Sequence, residues 1–132
     1  MTQAVNDVLT KTGKALSSLE AIAQEPRQPN RVNVDATIQR FELTIELFWK
    51  LLRRILHSLG REVTYPREIL KEAYAGRLID DEESWLQMLE DRNNTSHTYD
   101  EELADQIYEN IKRYCPVMRE TYTRLHQQFW EQ

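Results

Sequence analysis

The chain has 132 residues, of which 40% are hydrophobic and 30% charged, with a formal net charge of −5 at pH 7 and one cysteine. This length fits one domain over residues 1–132, and a single cysteine excludes an internal disulfide and favours a reducing cytoplasm. No apolar run approaches the ~20 residues of a membrane span, and no signal-peptide pattern is visible, so we expect a cytoplasmic protein without a membrane partner.

Residues 4–24 carry apolar side chains at the spacing of one helix face, which predicts a first helix. Glycine is a poor helix former, so Gly13 is a weak point within it. Pro26 and Pro29 end the pattern and begin a connection.

The second predicted helix runs from about Val34 to Leu59 and stops at Gly60, since glycine readily adopts the conformation that follows a helix. Two apolar rows lie along it: Val34, Ile38, Phe41, Ile45, Phe48, Leu52, Ile55 and Leu59, and beside them Leu43, Leu47 and Leu51. Together they are wider than the stripe of a little over ~100° that one neighbouring layer needs. We therefore expect this helix to pack on two sides, against the core and against a partner.

The third predicted helix opens at Pro66, since proline suits the first helical position, and ends at Gly76. Its buried side is predicted to be Ile69, Leu70, Ala73 and Tyr74. Asp80 and Glu83 then have the spacing of a capping box, which predicts the start of a fourth helix.

The fifth predicted helix begins at a similar pair, Thr98 and Glu101. Its apolar period resumes beyond Pro116, so we expect the proline to kink the helix rather than to end it. The sequence shows no strand alternation and no internal repeat. The prediction is an all-α, up-and-down bundle of about five helices with a long central second helix.

Charge is divided unevenly along the chain. Residues 27–77 carry ten Lys/Arg against six Asp/Glu, whereas residues 78–111 carry one against eleven. A nucleic-acid surface usually has a basic face. Its candidates here lie on and just after the second helix: Lys50, Arg53, Arg54 and Arg61. The acidic segment argues against tight, nonspecific RNA binding by an isolated subunit.

The single cation of the acidic segment, Arg92, lies five positions before His97, with Asn93 and Ser96 between them. On one straight helix, at ~100° per residue, the two side chains would point about 140° apart. They converge only if the helix frays between them or if two chains bring their copies together. Asn, Thr and Ser favour fraying, so we place Arg92 on the last helical turn and residues 97–99 in the connection.

An arginine and a histidine together suit metal-free cleavage of RNA, whose 2′-hydroxyl is a built-in nucleophile. Arg92 would clamp the phosphate and stabilise its charge, and His97 would act as general acid/base. Asn93 and Ser96 would add hydrogen-bond donors, and Glu46 is a supporting candidate because an acidic residue on the second helix could orient an imidazole. The plainer interpretation is a solvated arginine near a helix end and a histidine in a loop, since short motifs often match by chance.

Two further features of the segment have alternative explanations. Tyr99 fits ordinary packing, but an exposed hydroxyl beside the site would be a base-stacking platform or a modification target. The acidic run at residues 80–83 is better explained by helix capping than by a metal, because divalent-cation sites draw oxygen ligands from several elements. We expect no metal and no cofactor.

The string Arg92-x-x-x-x-His97-x-Tyr99 resembles the signature of the HEPN superfamily, and most closely that of the HepT-type toxins, formerly called nucleotidyltransferase substrate-binding proteins. Two other stretches are similar to that family: Arg-Phe-Glu-Leu-Thr-Ile-Glu-Leu-Phe-Trp-Lys at residues 40–50 and Tyr-Cys-Pro at residues 114–116. The resemblance covers residues 5–129.

This resemblance implies an α-helical homodimer in which two Arg92/His97 pairs meet in an interface cleft and act as a metal-independent endoribonuclease. It implies the toxin of a type VII-like toxin–antitoxin pair, whose cognate minimal nucleotidyltransferase transfers AMP from ATP to Tyr99. The added phosphate would lie beside Arg92, where the RNA phosphate should bind. The alternatives are a non-catalytic substrate-binding adaptor of a nucleotidyltransferase and a helical dimer with a purely structural role.

Overall fold

The computed structural model describes the backbone of residues 2–132 and the side chains of residues 4–132, so that Met1 of the expected domain lies outside the described residues. The helices, in chain order, are α1 (Thr2–Ala23), α2 (Val32–Ser58), α3 (Pro66–Ala75), α4 (Glu82–Asn94) and α5 (Glu101–Phe129), with a short 3₁₀ turn at Thr95–His97. Over this described part of the chain there is no strand. The predicted all-α class and number of helices are confirmed.

The central helix is α2, which packs along α1 and also contacts α3, α4 and α5. Its buried Phe48 meets Trp85 of α4 edge-to-face, with ring centroids 5.1 Å apart. Its buried Phe41 stacks on Tyr114 of α5, with ring centroids 5.9 Å apart. Each large apolar side chain buried in this way stabilises the fold by roughly 1.5–3 kcal/mol. These two contacts hold α4 and α5 beside the middle of α2, where the candidate site lies.

We expected α2 to pack on two sides. Within this chain its core side is packed, and the side that was expected to meet a partner is exposed at Leu43. Leu51, from the second apolar row, is fully buried, whereas Leu43 from the same row is 55% exposed. Leu59, predicted in the buried row, is also exposed, because α2 ends at Ser58 and the chain turns away. The middle of α2 therefore presents an apolar side chain that the described part of the chain leaves more than half exposed.

Glycine and proline mark the ends of the helices largely as predicted. Gly60 has φ +84° just beyond α2, and Pro66 occupies the first position of α3. Gly76 follows α3, but the residue in the left-handed conformation is Arg77, with φ 61°. The prediction for Tyr74 is wrong, because this side chain lies at the exposed edge of α3 rather than in the core.

The start of α4 and of α5 is capped by an aspartate one or two residues beyond the predicted cap. Asp81 accepts a hydrogen bond from the backbone N–H of Ser84 at 3.1 Å. Asp100 accepts one from the N–H of Leu103 at 3.2 Å. The short side chain of an aspartate caps the unpaired N–H groups of a helix just as well as the residues that the capping-box spacing predicted. In its middle, α5 continues through Pro116 rather than ending there, as predicted.

None of the helices within residues 2–132 combines the length and apolar character that crossing a bilayer requires.

Candidate functional site

The change from α4 to the 3₁₀ turn falls between Arg92 and His97. Arg92 lies in the last turn of α4, and His97 is the last residue of the 3₁₀ turn. The backbone N–H of Thr95 donates to the carbonyl of Arg92, and the Thr95 hydroxyl oxygen lies 2.7 Å from the same carbonyl oxygen. Such local bonds compete with the α-helical pattern and tighten the backbone into a 3₁₀ turn. The fraying predicted between the two residues is therefore confirmed.

Arg92 is held against α2 by a pair of glutamates. Its Nε donates to Glu46 Oε2 at 2.8 Å, and its Nη2 donates to the same oxygen. Its Nη1 lies 3.8 Å from Glu42 Oε2, an oxygen that also lies 2.8 Å from the Thr95 hydroxyl. The guanidinium side chain is 29% exposed, so the ion pair fixes its direction while leaving one side open to solvent.

Glu46 was expected to orient the imidazole, and the structure places it on the guanidinium instead. Glu42 and Glu46 are four residues apart and share one face of α2, so both reach the end of α4. That spacing was visible in the sequence, but the basic group that the two carboxylates meet depends on how α4 packs against α2.

His97 and Tyr99 form a second, exposed pair. His97 Nδ1 lies 3.3 Å from the Tyr99 hydroxyl, and the rings meet edge-to-face with centroids 5.9 Å apart. Tyr99 is 82% exposed, so its hydroxyl is accessible to a large reactant. Within the part of the chain that the structure describes, hydrogen bonds join Arg92 to Glu46 and His97 to Tyr99, but none joins Arg92 to His97.

Asn93 and Ser96 lie at the same helix end with exposed side chains, and the Ser96 hydroxyl is 3.5 Å from the carbonyl oxygen of Asn93. A shallow surface groove of about 360 Å³ lies between α2 and the turn, and neither of these two residues lines it. It is lined by Asp35, Ile38, Gln39, Glu42, Thr95, Thr98 and Tyr99. Tyr99 therefore lines the same groove as two acidic residues of α2, Asp35 and Glu42.

Two of the basic residues expected to serve the site, Arg53 and Arg54, lie elsewhere within this chain. Arg53 and Arg54 donate to the backbone carbonyls of Val63 and Ala4, both at 3.1 Å. Arg53 is seven residues beyond Glu46, which places it roughly 10 Å further along the α2 axis. These guanidinium groups line a separate cavity of about 430 Å³ near the end of α2.

Two arginines that the sequence interpretation missed lie beside the start of α5. Arg27 Nη2 and Arg31 Nη1 bind Asp105 Oδ1 at 2.7 and 3.0 Å, and Arg31 Nε lies 3.8 Å from Glu101. The hydrogen bond from Arg27, followed by that from Arg31, holds the pKa of Asp105 below its usual value. These arginines come from the loop before α2 and its N-cap, and nothing in their spacing connects them with the motif.

Comparison with known proteins finds a family described by substrate binding and a relative named as a probable ribonuclease. Residues 7–127 match the family described as nucleotidyltransferase substrate binding protein like. A Haemophilus influenzae protein named probable ribonuclease HepT is 36% identical over 83 residues, which are 59% of this chain and 57% of that protein. The matched region thus spans a little over half the length of that relative.

Two solved structures share the fold. One, from Thermus thermophilus, is 36% identical with a TM-score of 0.80 and covers 86% of this chain and 98% of its own. The other, from Haemophilus influenzae, is described as the fold of a substrate binding domain of a nucleotidyltransferase. It is 27% identical with a TM-score of 0.68 and covers 96% of this chain and 97% of its own. The chain belongs to the nucleotidyltransferase substrate-binding protein-like family, which includes the HepT type of HEPN protein.

Proposed function

We propose that this protein is a metal-independent endoribonuclease and the toxin of a type VII-like pair with a minimal nucleotidyltransferase. The observation that carries the proposal is the arrangement at the end of α4. A half-buried Arg92 is fixed in direction by Glu46, and an exposed His97 follows at the end of the tight turn that α4 leads into. A fixed cation and an exposed imidazole are the two groups that metal-free phosphodiester cleavage requires.

In the proposed reaction the 2′-oxygen of RNA attacks the adjacent phosphorus and the bond to the 5′-oxygen breaks. His97 takes the proton of the 2′-hydroxyl, and an imidazolium returns a proton to the leaving 5′-oxygen. Arg92 binds the non-bridging oxygens and stabilises their charge as the attack proceeds. The products are a 2′,3′-cyclic phosphate and a 5′-hydroxyl end.

A homodimer would supply the two imidazoles that this scheme uses. Arg92 and His97 are not bonded to each other in one chain, and Leu43 is exposed on α2 three residues from Glu46. Residues three apart share a helix face, so an apolar contact at Leu43 would bring a second copy directly beside Glu46 and Arg92. A symmetric contact of this kind places the same patch of both chains together, and with it both sites.

Inactivation would proceed by transfer of AMP to Tyr99. The Tyr99 oxygen attacks the α-phosphorus of ATP, pyrophosphate leaves, and the hydroxyl proton passes to solvent. The high exposure of Tyr99 and the groove beside it support access by a partner enzyme. The new phosphodiester adds negative charge next to His97 and close to Arg92, where it would compete with RNA.

Cleavage of RNA by the purified protein in EDTA tests the proposal, with His97→Ala as the variant. A positioned general acid/base contributes about 10²–10⁴-fold, so His97→Ala should lose activity by that factor while the fold survives. His57→Ala is the matched control, since His57 is exposed on α2 outside the site. Full activity of His97→Ala, or a strict requirement for magnesium, would overturn the mechanism.

A substrate-binding role without catalysis is the second candidate. Glu42 and Glu46 surround Arg92 with negative charge, and the family description points to binding rather than cleavage. On this alternative the purified protein cuts no RNA, and the partner nucleotidyltransferase transfers AMP to a molecule other than Tyr99. Intact mass after incubation with the partner and ATP separates the two.

A further inference from the structure

Tyr114, the first residue of the Tyr-Cys-Pro stretch on α5, meets α4 at the residue immediately before Arg92. Its hydroxyl donates to Asp91 Oδ2 at 2.6 Å, and Asn110 Nδ2 donates to the same oxygen at 3.0 Å. All three side chains are buried, and Asp91 is only 8% exposed. The proposed cleavage scheme gives this cluster no role.

A buried carboxylate has lost its water and must be compensated by hydrogen-bond donors. Here both donors come from α5, and the short bond from a hydroxyl to a carboxylate is of the strong, charge-assisted kind. Burial, and then the hydrogen bond to Asp91, raise the pKa of Tyr114 well above its usual value, so the hydroxyl keeps its proton and remains a donor.

The amide of Asn110 is fixed by its other neighbours. Its Oδ1 accepts from Gln106 Nε2 at 3.0 Å and also from Arg113 Nη2. The oxygen of the amide is therefore turned toward these donors, and the nitrogen faces Asp91. The direction of the Asn110 donor is thus set on α5, and the ring that carries the Tyr114 hydroxyl is packed against Phe41 of α2.

Asp91 and Arg92 are adjacent on the last turn of α4 and point about 100° apart. Asp91 is bonded to α5, whereas Arg92 is bonded to Glu46 on α2. The buried Thr95 then contacts Glu42 at the start of the turn that carries His97. The end of α4 is consequently held from two sides, immediately before the backbone changes to the 3₁₀ turn.

We propose that Asp91 is the positioning residue of the site. Its hydrogen bonds from Tyr114 and Asn110 fix the end of α4, so that Arg92 and the turn that ends at His97 keep their orientation. Asp91 acts through the backbone and through Arg92, and it does not itself contact RNA. The consequence for cleavage rests on the proposed ribonuclease function, whereas the consequence for the orientation of Arg92 does not.

Tyr114→Phe tests the proposal because it removes the hydroxyl and keeps the ring that stacks on Phe41. Tyr122→Phe is the matched control: it lies on the same helix and loses a hydroxyl that donates to the Leu9 carbonyl at 2.8 Å, away from α4. The readout is the Nε–H signal of Arg92 in a ¹H–¹⁵N spectrum, assigned by its disappearance in Arg92→Lys. We expect Tyr114→Phe to shift or broaden that signal and Tyr122→Phe to leave it in place.

Kinetics of RNA cleavage provide the second readout. Small displacements of a catalytic group cost up to about 10²-fold, so Tyr114→Phe should lower kcat by about 10–100-fold with KM little changed. Tyr122→Phe should keep the wild-type kcat. Asp91→Asn retains an oxygen that accepts both hydrogen bonds and should keep more activity than Asp91→Leu.

The outcomes separate this inference from the proposed function. An Arg92 Nε–H signal that is unmoved in Tyr114→Phe, or that moves equally in Tyr122→Phe, would overturn the positioning role. If the wild-type protein cuts no RNA, the ribonuclease proposal fails, and the Arg92 signal still decides whether Asp91 fixes the end of α4.

Discussion

Arg92 on α4 directs two N–H groups, Nε and Nη2, at a single carboxylate oxygen of Glu46 on α2. The guanidinium is therefore oriented before any phosphate reaches it. The same carboxylate also competes with phosphate for the cation. Glu46 thus has two opposed effects on an RNA-binding arginine, and a single substitution separates them.

We expect Glu46→Gln to lower both KM and kcat for RNA cleavage. A partly exposed ion pair is worth about 0.2–1 kcal/mol, so freeing Arg92 should lower KM by about 1.5–5-fold. The loss of orientation should lower kcat by about tenfold. Steady-state kinetics with a short RNA measures both constants. Glu90→Gln, an exposed neutralisation on α4, is the control for nonspecific charge, and a rise in KM for Glu46→Gln would contradict the prediction.

The helices could be predicted from the sequence, because the residues that start, continue and end a helix act on their own neighbours in the chain. The apolar period of α2, Gly60 after it and Pro66 before α3 each act through their own neighbours in the chain. The caps were displaced by one or two residues, because an adjacent aspartate such as Asp81 reaches the same N–H groups.

The site could be predicted only in part from the sequence, because its contacts join segments that are distant in the chain. The Asn, Thr and Ser residues between Arg92 and His97 predicted the break in the helix, and the structure has the 3₁₀ turn there. Asp91 carried no signal, since an acid in an acidic segment resembles a solvated residue until α5 brings Tyr114 onto it. The partner of Glu46 depends likewise on helix packing.

Gly13→Ala should destabilise the protein although alanine is the better helix former. A Cβ at Gly13 would lie 2.5 Å from the Tyr122 hydroxyl oxygen, which now donates to the Leu9 carbonyl. Overpacking costs about 1–3 kcal/mol, against about 1 kcal/mol gained in helix propensity. Thermal or urea unfolding should therefore show a net loss of up to about 2 kcal/mol. In a Tyr122→Leu background the same substitution should become neutral or stabilising, and an unchanged loss there would show that Tyr122 is not the cause.

Cys115 should react slowly with alkylating reagents in the native protein at pH 8. Burial, and then the negative charge of Glu20, raise the pKa of its thiol to about 11. The thiolate is the reactive form, so labelling by N-ethylmaleimide should be about a hundredfold slower than that of an exposed cysteine and should accelerate as the pH rises toward the raised pKa. Protein unfolded in urea is the control. Equal rates for native and unfolded protein would contradict the raised pKa of this partly buried thiol.

Leu43→Glu should convert the proposed homodimer into monomers and abolish RNA cleavage without unfolding the chain. Leu43 is exposed on the face of α2 that carries Glu46, so a charge there has no cost in the monomer but would be buried in the interface. Light scattering after size exclusion gives the mass, and circular dichroism the fold. Leu59→Glu replaces an equally exposed leucine beyond the end of α2 and should leave the dimer intact. A wild-type monomer, or a dimeric and active Leu43→Glu, would exclude this interface.

Tyr99→Phe should block transfer of AMP by the partner nucleotidyltransferase and leave the ribonuclease permanently active. The substitution removes only the exposed hydroxyl, and the His97 ring beside it keeps its edge-to-face neighbour. Intact mass after incubation with the partner and ATP should increase by AMP in the wild type and stay constant in Tyr99→Phe. Tyr65→Phe is the control, because Tyr65 is a well-exposed tyrosine at the start of α3, outside the site. AMP found on Tyr99→Phe would show that another residue is modified. Wild-type cleavage that persists after Tyr99 is modified would show that charge at this hydroxyl does not inhibit the site.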